Sequence, residues 1–126
     1  MNLAAKILVG FVALQHLGFL ILEMFLWTTP TGHRVFGLDP AFAEQSAGLA
    51  ANQGLYNGFL FAGLVWSLLR GADGFALKVF FLACVVVAGV FGALTVSSSI
   101  LWIQGFPALV ALFVVVASAR GSIRSD

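Results

Sequence analysis

Four long apolar segments constrain this chain more than any other feature of its sequence. They cover approximately residues 4–27, 46–69, 75–96 and 99–119. A membrane-spanning helix needs about 20 mostly apolar residues, and each segment has that length. The chain of 126 residues is 61% hydrophobic and only 9% charged, so it has too few charged side chains to cover the surface of a soluble domain. The sequence therefore predicts an integral membrane protein.

The four segments are predicted to be helices. Lipid offers no hydrogen-bond partner to backbone N–H and C=O groups, so a span must satisfy them internally. A barrel strand would alternate apolar and polar residues, and the run FFLACVVV at residues 80–87 does not alternate. We therefore expect an all-α fold in which residues 1–126 form one integral membrane domain, a four-transmembrane-helix bundle with up-down-up-down order.

The basic residues predict the orientation of these spans. Four spans place both termini on one side of the membrane, and cytoplasmic segments are enriched in Lys and Arg. Five basic residues fall on the side of the termini and one on the opposite side: Lys6, Arg70, Lys78, Arg120 and Arg124 against Arg34. We expect cytoplasmic termini and a multi-pass protein of the bacterial cytoplasmic (inner) membrane.

The connection at residues 28–45 is then the outer loop. Thr28 to Gly32 and the pair Asp39-Pro40 are interpreted as turns that interrupt it. The loop between the third and fourth spans, at residues 96–99, is almost absent, which predicts a tight antiparallel hairpin. Trp27 and Trp102 fall near the outer interface, where tryptophan commonly anchors a span.

The first span carries two ionisable side chains, His16 and Glu23. They are seven residues apart, so they share one helical face and are separated by roughly 10 Å along the axis. Ionisable residues inside a span are costly and are candidates for function by default. We expect Glu23 to act in acid–base chemistry and His16 to relay a proton to or from it.

The second span contains the polar stretch ANQGLYNG at residues 51–58. When the first two spans are antiparallel, the depths of this stretch match those of His16 and Glu23. Thr95 and Gln104, at the ends of the third and fourth spans, come to a similar level. We predict one polar cluster in the outer half of the membrane, in which Glu23 and His16 are catalytic and the following side chains contact a ligand: Asn52, Gln53, Tyr56, Asn57, Gln104, Trp27 and Trp102.

The polar side chains also have a purely structural interpretation. Amide and hydroxyl groups hydrogen-bond neighbouring membrane helices at an average of about 0.6 kcal/mol each, and this alone would explain Asn52, Gln53 and Asn57. Gly54 and Gly58 form a GxxxG step of the kind that permits close helix packing. Both interpretations stay open from the sequence.

Composition excludes several other classes of function. The single cysteine, Cys84, lies in the third span and allows neither an intrachain disulfide nor a cysteine metal cluster. Other metal ligands lack workable spacing, no haem attachment motif occurs, and the net charge of +1 is too small to suggest nucleic acid. We expect no metal, no cofactor and no nucleic-acid partner. The partners that we expect are membrane lipids or a small lipophilic molecule, and association of identical copies stays open.

The polar residues of three spans and a segment of the outer loop resemble a known family. They are His16 and Glu23, the string FGL at residues 36–38, NQGLYNG at 52–58 and QGFPA at 104–108. Together they resemble the small bacterial membrane family called domain of unknown function 1304. The resemblance covers nearly the whole chain and implies a four-helix membrane protein, but it implies no activity and no catalytic residues.

Three functions compete at this point. The first is a membrane enzyme or binding module for a small lipophilic molecule, with Phe19, Trp27, Phe59 and Trp102 as its apolar wall. The second is a proton-coupled transporter that uses Glu23. The strong charge asymmetry argues against this, because small multidrug transporters with a comparable carboxylate form antiparallel dimers with weak charge bias. The third is a structural subunit in which the polar residues only fix helix register.

Overall fold

The computed structural model describes residues 2–123, and the basic residue Arg124 lies outside them. The described chain is helical throughout and contains no strand, which confirms the all-α class. The elements are α1 (Leu3–Met24), α2 (Pro30–Phe36), α3 (Pro40–Leu69), α4 (Phe75–Thr95), a π-helical turn (Leu101–Gly105) and α5 (Phe106–Ile123).

Three helical segments within the described residues are long and apolar enough to cross a membrane. They are Leu3–Met24, Phe75–Thr95 and Leu101–Gly121. The remaining predicted span, residues 46–69, lies within α3, which is long enough but less apolar. Asn52, Gln53 and Asn57 lower its hydropathy, because side-chain amides are among the most strongly hydrated groups in the chain.

Helix α3 begins at Pro40, about two turns before the predicted start of the second span. The pair Asp39-Pro40, whose composition predicts a turn, is a helix start. Asp39 Oδ1 accepts hydrogen bonds from the N–H groups of Ala41 (3.0 Å) and Phe42 (3.2 Å). This is the arrangement of an N-cap residue, and proline at the first helical position needs no N–H partner.

The outer connection contains a second helix start of the same kind. Thr29 accepts a hydrogen bond from the N–H of Gly32 at 3.3 Å, and Pro30 begins α2. Gly32 is buried so tightly that an added Cβ would come within 2.1 Å of the Leu26 carbonyl oxygen. Helix α2 ends at Gly37, whose φ of +65° is in the left-handed region that favours glycine. The predicted loop is therefore largely a folded segment.

The chain divides into two compact units. One unit is Leu14–Phe61, which holds the second half of α1, all of α2 and most of α3. The other consists of the residues on either side of it in sequence.

In the other unit, α4 and the π-helical turn pack closely at a glycine. A Cβ added to Gly89 in α4 would lie 2.6 Å from the Cα of Gly105 in the π-helical turn, so Gly89 has no room for a side chain. Leu82 and Val85 on α4 and Ala108 on α5 are fully buried. Where lipid surrounds the helices, such side chains stabilise the contact through van der Waals packing rather than through removal from water.

The buried ammonium group of Lys78 caps the C-terminus of α3. Its Nζ donates to the carbonyl oxygens of Ser67 (2.5 Å) and Gly71 (2.7 Å). Ser67 O needs this donor because the N–H of Gly71 turns away, at a φ of +57°, and bonds Leu68 O instead. The side chain of Lys78 is fully buried. A cation at this position also complements the negative end of the helix dipole.

Replacement of Lys78 by methionine should therefore destabilise the protein. We expect Lys78→Met to lower the free energy of unfolding by about 1–3 kcal/mol, because two backbone carbonyl oxygens lose a charged donor. Denaturant unfolding in detergent micelles measures this. The control is Lys6→Met, since Lys6 is exposed on α1. Equal stability losses in the two variants would contradict the capping role.

Candidate functional site

The side chains of Glu23 on α1 and Asn57 on α3 form the centre of the candidate site. Asn57 Nδ2 donates to Glu23 Oε2 at 2.6 Å, which is at the short end of hydrogen-bond distances. Asn57 is buried, with 5% of its surface exposed. The predicted pairing between the carboxyl of the first span and the amides of the second is thus present, with Asn57 as its partner.

Two glycines on α3 allow this hydrogen bond to form. A Cβ added to Gly54 would lie 2.6 Å from Met24 Cγ and 3.1 Å from Glu23 Cβ. A Cβ added to Gly58 would lie 2.7 Å from Leu20 Cδ1. The GxxxG step is therefore the surface on which α1 packs, and it brings the backbone of α3 close enough for a short Asn side chain to reach Glu23.

The glycine face also determines which polar residues do not reach Glu23. Residues two positions from Gly54 point roughly 200° away around the helix axis, which places Asn52 and Tyr56 on the opposite side of α3. Both side chains are exposed, Tyr56 by 55%. Gln53 is exposed at the edge between the two sides, one turn before Asn57. The structure brings Asn57 to the carboxyl and leaves Asn52 and Tyr56 apart from it.

The carboxyl of Glu23 is only partly enclosed. Its side chain is half-buried. Among the described residues, Asn57 binds Oε2 and no side chain or backbone group donates to Oε1. The partner of Oε2 is a neutral amide rather than a cation. An amide donor holds the carboxylate in place without neutralising it, so the second oxygen can still accept a hydrogen bond or a proton.

His16 is fully buried in the second half of α1. Its ring lies edge-on to that of Phe19, with ring centroids 5.5 Å apart. The seven-residue separation from Glu23 corresponds to roughly 10 Å along the axis, which excludes a direct hydrogen bond between them in the continuous helix. Its role as a proton relay stays a prediction.

Trp27 fixes the segment that follows α1. Its indole N–H donates to Ser46 Oγ on α3 at 3.0 Å, and its ring lies 4.9 Å from that of Phe36 on α2. The Ser46 hydroxyl in turn donates to Phe42 O at 2.7 Å. These contacts join the segment after α1 to α2 and α3. Sequence reasoning did not identify Ser46, because a single serine near a helix start carries no distinctive signal.

Trp102 and Gln104 belong to the other unit, in the π-helical turn. The N–H of Phe106 bonds the carbonyl of Leu101, five residues earlier, which widens the helix just before Pro107. Such turns are rare and frequently occur at functional sites. Trp102 is 65% exposed and Gln104 is half-buried. Their assignment as ligand contacts, like the place of Thr95 in the predicted cluster, stays a prediction from sequence.

A surface groove of about 1000 Å³ follows one face of α5. Its walls are mostly apolar, from Leu109 to Ala117, with Arg120 near one end. None of the residues predicted for ligand binding lines it. An open apolar helix face is what a span presents to lipid, so the groove does not change the choice of Glu23 and Asn57 as the candidate site.

A double-mutant cycle tests the energy of the central hydrogen bond. We expect Glu23→Met and Asn57→Leu to show a coupling energy of about 1–3 kcal/mol, because each variant removes the partner of a polar group inside the protein. The matched control is the cycle of Glu23→Met with Tyr56→Phe, whose coupling should be close to zero. Unfolding in mixed micelles measures both. Equal coupling in the two cycles would contradict the geometry.

Comparison with known proteins places the chain in a family. The chain is 30% identical over 114 residues to the uncharacterized protein YpaA of Lactococcus lactis subsp. lactis (strain IL1403). The alignment covers 89% of this chain and 96% of YpaA. No solved structure matches this chain. The model of the family described as protein of unknown function (DUF1304) matches residues 10–116. The chain therefore belongs to the DUF1304 family, as its polar motifs predicted.

Proposed function

We propose that this protein binds a small lipophilic molecule in the outer leaflet of the membrane and that Glu23 is its acid–base group. The observation that carries the proposal is the unengaged oxygen of a carboxyl within a membrane-spanning helix. Glu23 is the only acidic residue in the three helices that could cross a membrane. Glu23 Oε1 is not among the enclosed polar atoms that lack a partner, so it is accessible to a molecule outside the protein.

The proposal includes the topology predicted from the sequence. The protein is one multi-pass domain of the bacterial cytoplasmic membrane with four spans and cytoplasmic termini, and residues 46–69 of α3 are the second span. Helix α3 has 30 residues and is about 45 Å long, while the hydrocarbon core is about 30 Å thick. The first turns of α3 would therefore project beyond the outer surface.

The chemistry of the site indicates what the ligand must carry. Asn57 occupies Oε2, so the ligand would meet Oε1, which accepts a hydrogen bond or a proton. The matching ligand is a hydrophobic molecule with one hydroxyl or amino group. Gln53, exposed one turn from Asn57, is placed to bind a second polar atom of the ligand. Glu23 would exchange a proton with the bound group, and His16 would relay that proton through a bridging water or side chain, since the two are roughly 10 Å apart along α1.

Proton-coupled transport and a structural role are the alternatives. Transport also needs a carboxyl that is open to lipid, and it predicts release of a proton when a lipophilic cation binds. A structural role needs only the Asn57 hydrogen bond and predicts no reactive carboxyl. The three functions therefore differ in whether the Glu23 carboxyl is accessible to a ligand and in whether it exchanges its proton when the ligand binds.

Labelling with dicyclohexylcarbodiimide tests the proposal. This lipid-soluble reagent adds to protonated carboxyl groups that it reaches from the membrane. In vesicles of phosphatidylethanolamine and phosphatidylglycerol, we expect it to label Glu23, at a rate that falls as the pH rises and the carboxyl ionises. Peptide mass spectrometry locates the label. Glu23→Gln should abolish it, whereas Glu44→Gln should not.

Competition identifies the ligand class in the same experiment. We expect dodecanol or dodecylamine to slow the labelling, since each can donate a hydrogen bond to Oε1, and dodecane to leave it unchanged. Proton release with dodecylammonium and not with dodecanol would favour transport. Absence of labelling at every pH would contradict both functions and leave the structural role.

A further inference from the structure

The side of α3 that faces away from α1 combines polar and aromatic residues. Asn52 and Tyr56 lie there, about 200° from Gly54. Leu49, one turn before Asn52, and Phe59, one turn after Tyr56, lie on the same side. All four are exposed, Leu49 by 79% and Phe59 by 56%. The rings of Tyr56 and Phe59 contact edge to face at 5.9 Å, which gives this surface, called here the α3 outer face, a fixed shape.

The polar groups of the α3 outer face have no partner in the described part of the chain. No hydrogen bond joins the amide of Asn52 or the hydroxyl of Tyr56 to another described residue. Asn52 is 17 residues from the inner end of α3 at Leu69, and Tyr56 is 13 residues from it. At 1.5 Å per residue, both therefore lie within a hydrocarbon core of about 30 Å that starts at that end.

Lipid tails cannot hydrogen-bond these groups. An unsatisfied amide in an apolar medium is costly, and membrane helices avoid the cost by pairing such groups across a helix–helix contact. Most of the other large exposed side chains of the spans are apolar, for example Phe91 on α4 and Phe113 on α5, and lipid covers them without loss. The α3 outer face is different because a partner must supply donors and acceptors.

We infer that a second copy of this chain covers the α3 outer face and forms a parallel, twofold-symmetric dimer through α3. The asymmetric distribution of basic residues inserts every copy in one orientation, so Asn52 of one copy lies at the same depth as Asn52 of the next. A side-chain amide both donates and accepts, as does a phenol, so this surface is complementary to itself across a twofold axis. Leu49 and Phe59 supply apolar contact on either side.

This inference uses the proposed placement of α3 in the membrane but not the ligand. Asn52 and Tyr56 point away from Glu23, so dimerisation leaves the carboxyl accessible. The two proposals can therefore fail separately. Gln53 is left unchanged in the experiments because it belongs to the proposed ligand site.

Cysteine cross-linking in vesicles tests the dimer. The background is Cys84→Ala, which removes the only native cysteine. Single-cysteine variants Leu49→Cys and Phe91→Cys are oxidised in phosphatidylethanolamine–phosphatidylglycerol vesicles, the second as an exposed control on α4. We expect a disulfide-linked dimer at Leu49, with the Asn52 amide intact, and little at Phe91. Carbodiimide labelling of Glu23 in the same vesicles reports independently on the proposed function.

Association without cross-links provides the second measurement. Stepwise photobleaching of a fluorescently tagged chain, at increasing dilution in lipid, gives the dimer fraction. We expect Asn52→Ala combined with Tyr56→Phe to weaken association about tenfold, because several interhelical hydrogen bonds, each individually weak, are lost. Thr95→Val is the control, since its exposed hydroxyl already donates to Phe91 O at 2.8 Å.

Two results would overturn the inference. One is equal cross-linking at Leu49 and Phe91 together with single-step photobleaching at every dilution, which would mean that lipid or another molecule covers the face. The other is a dimer whose association the double variant leaves unchanged, which would place the contact elsewhere.

Discussion

The close approach of α1 and α3 at Gly54 and Gly58 is the contact on which the candidate site depends. An added methyl group at either position would overlap Met24, Glu23 or Leu20. Without this approach, the short side chain of Asn57 could not reach Glu23 Oε2 at 2.6 Å. The same contact separates Asn57, which is buried and bonded to Glu23, from Asn52 and Tyr56, which are exposed on the far side of α3.

Two buried polar groups of this chain are stabilised in different ways, and the difference bears on function. Lys78 lies fully buried and donates to two backbone carbonyls that no helical N–H can satisfy. It is held by the end of α3 and stabilises that end. Glu23 is half-buried and receives one hydrogen bond from a neutral amide. The first arrangement is that of a structural cap, whereas the second leaves Glu23 Oε1 without a donor among the described residues, which is why the proposed chemistry is assigned to Glu23.

The all-α class and the pairing of Glu23 with the second polar segment follow from the sequence, because apolar length and matching depth are one-dimensional properties. The choice of Asn57 over Gln53 or Tyr56 does not, since depth alone does not tell which side of α3 faces α1. The GxxxG step carries that information: Asn57 lies about 60° from Gly54 around the helix axis, whereas Asn52 and Tyr56 lie opposite. The pairs Thr29-Pro30 and Asp39-Pro40 predict turns from sequence but are helix starts in the structure. A capping residue followed by proline is common in turns and at helix starts alike, so composition does not distinguish them.

The infrared spectrum of the Glu23 carboxyl, titrated in the purified protein with and without extracted membrane lipid, tests the central claim most directly. The difference from Glu23→Gln isolates its C=O stretching band. The account predicts a carboxyl that gains and loses its proton within the accessible pH range, with a band position or a titration midpoint that changes when lipid is added. A Glu23 carboxylate that stays ionised throughout and does not respond to lipid would contradict a working, ligand-accessible group and would leave the Asn57 hydrogen bond as a structural contact alone.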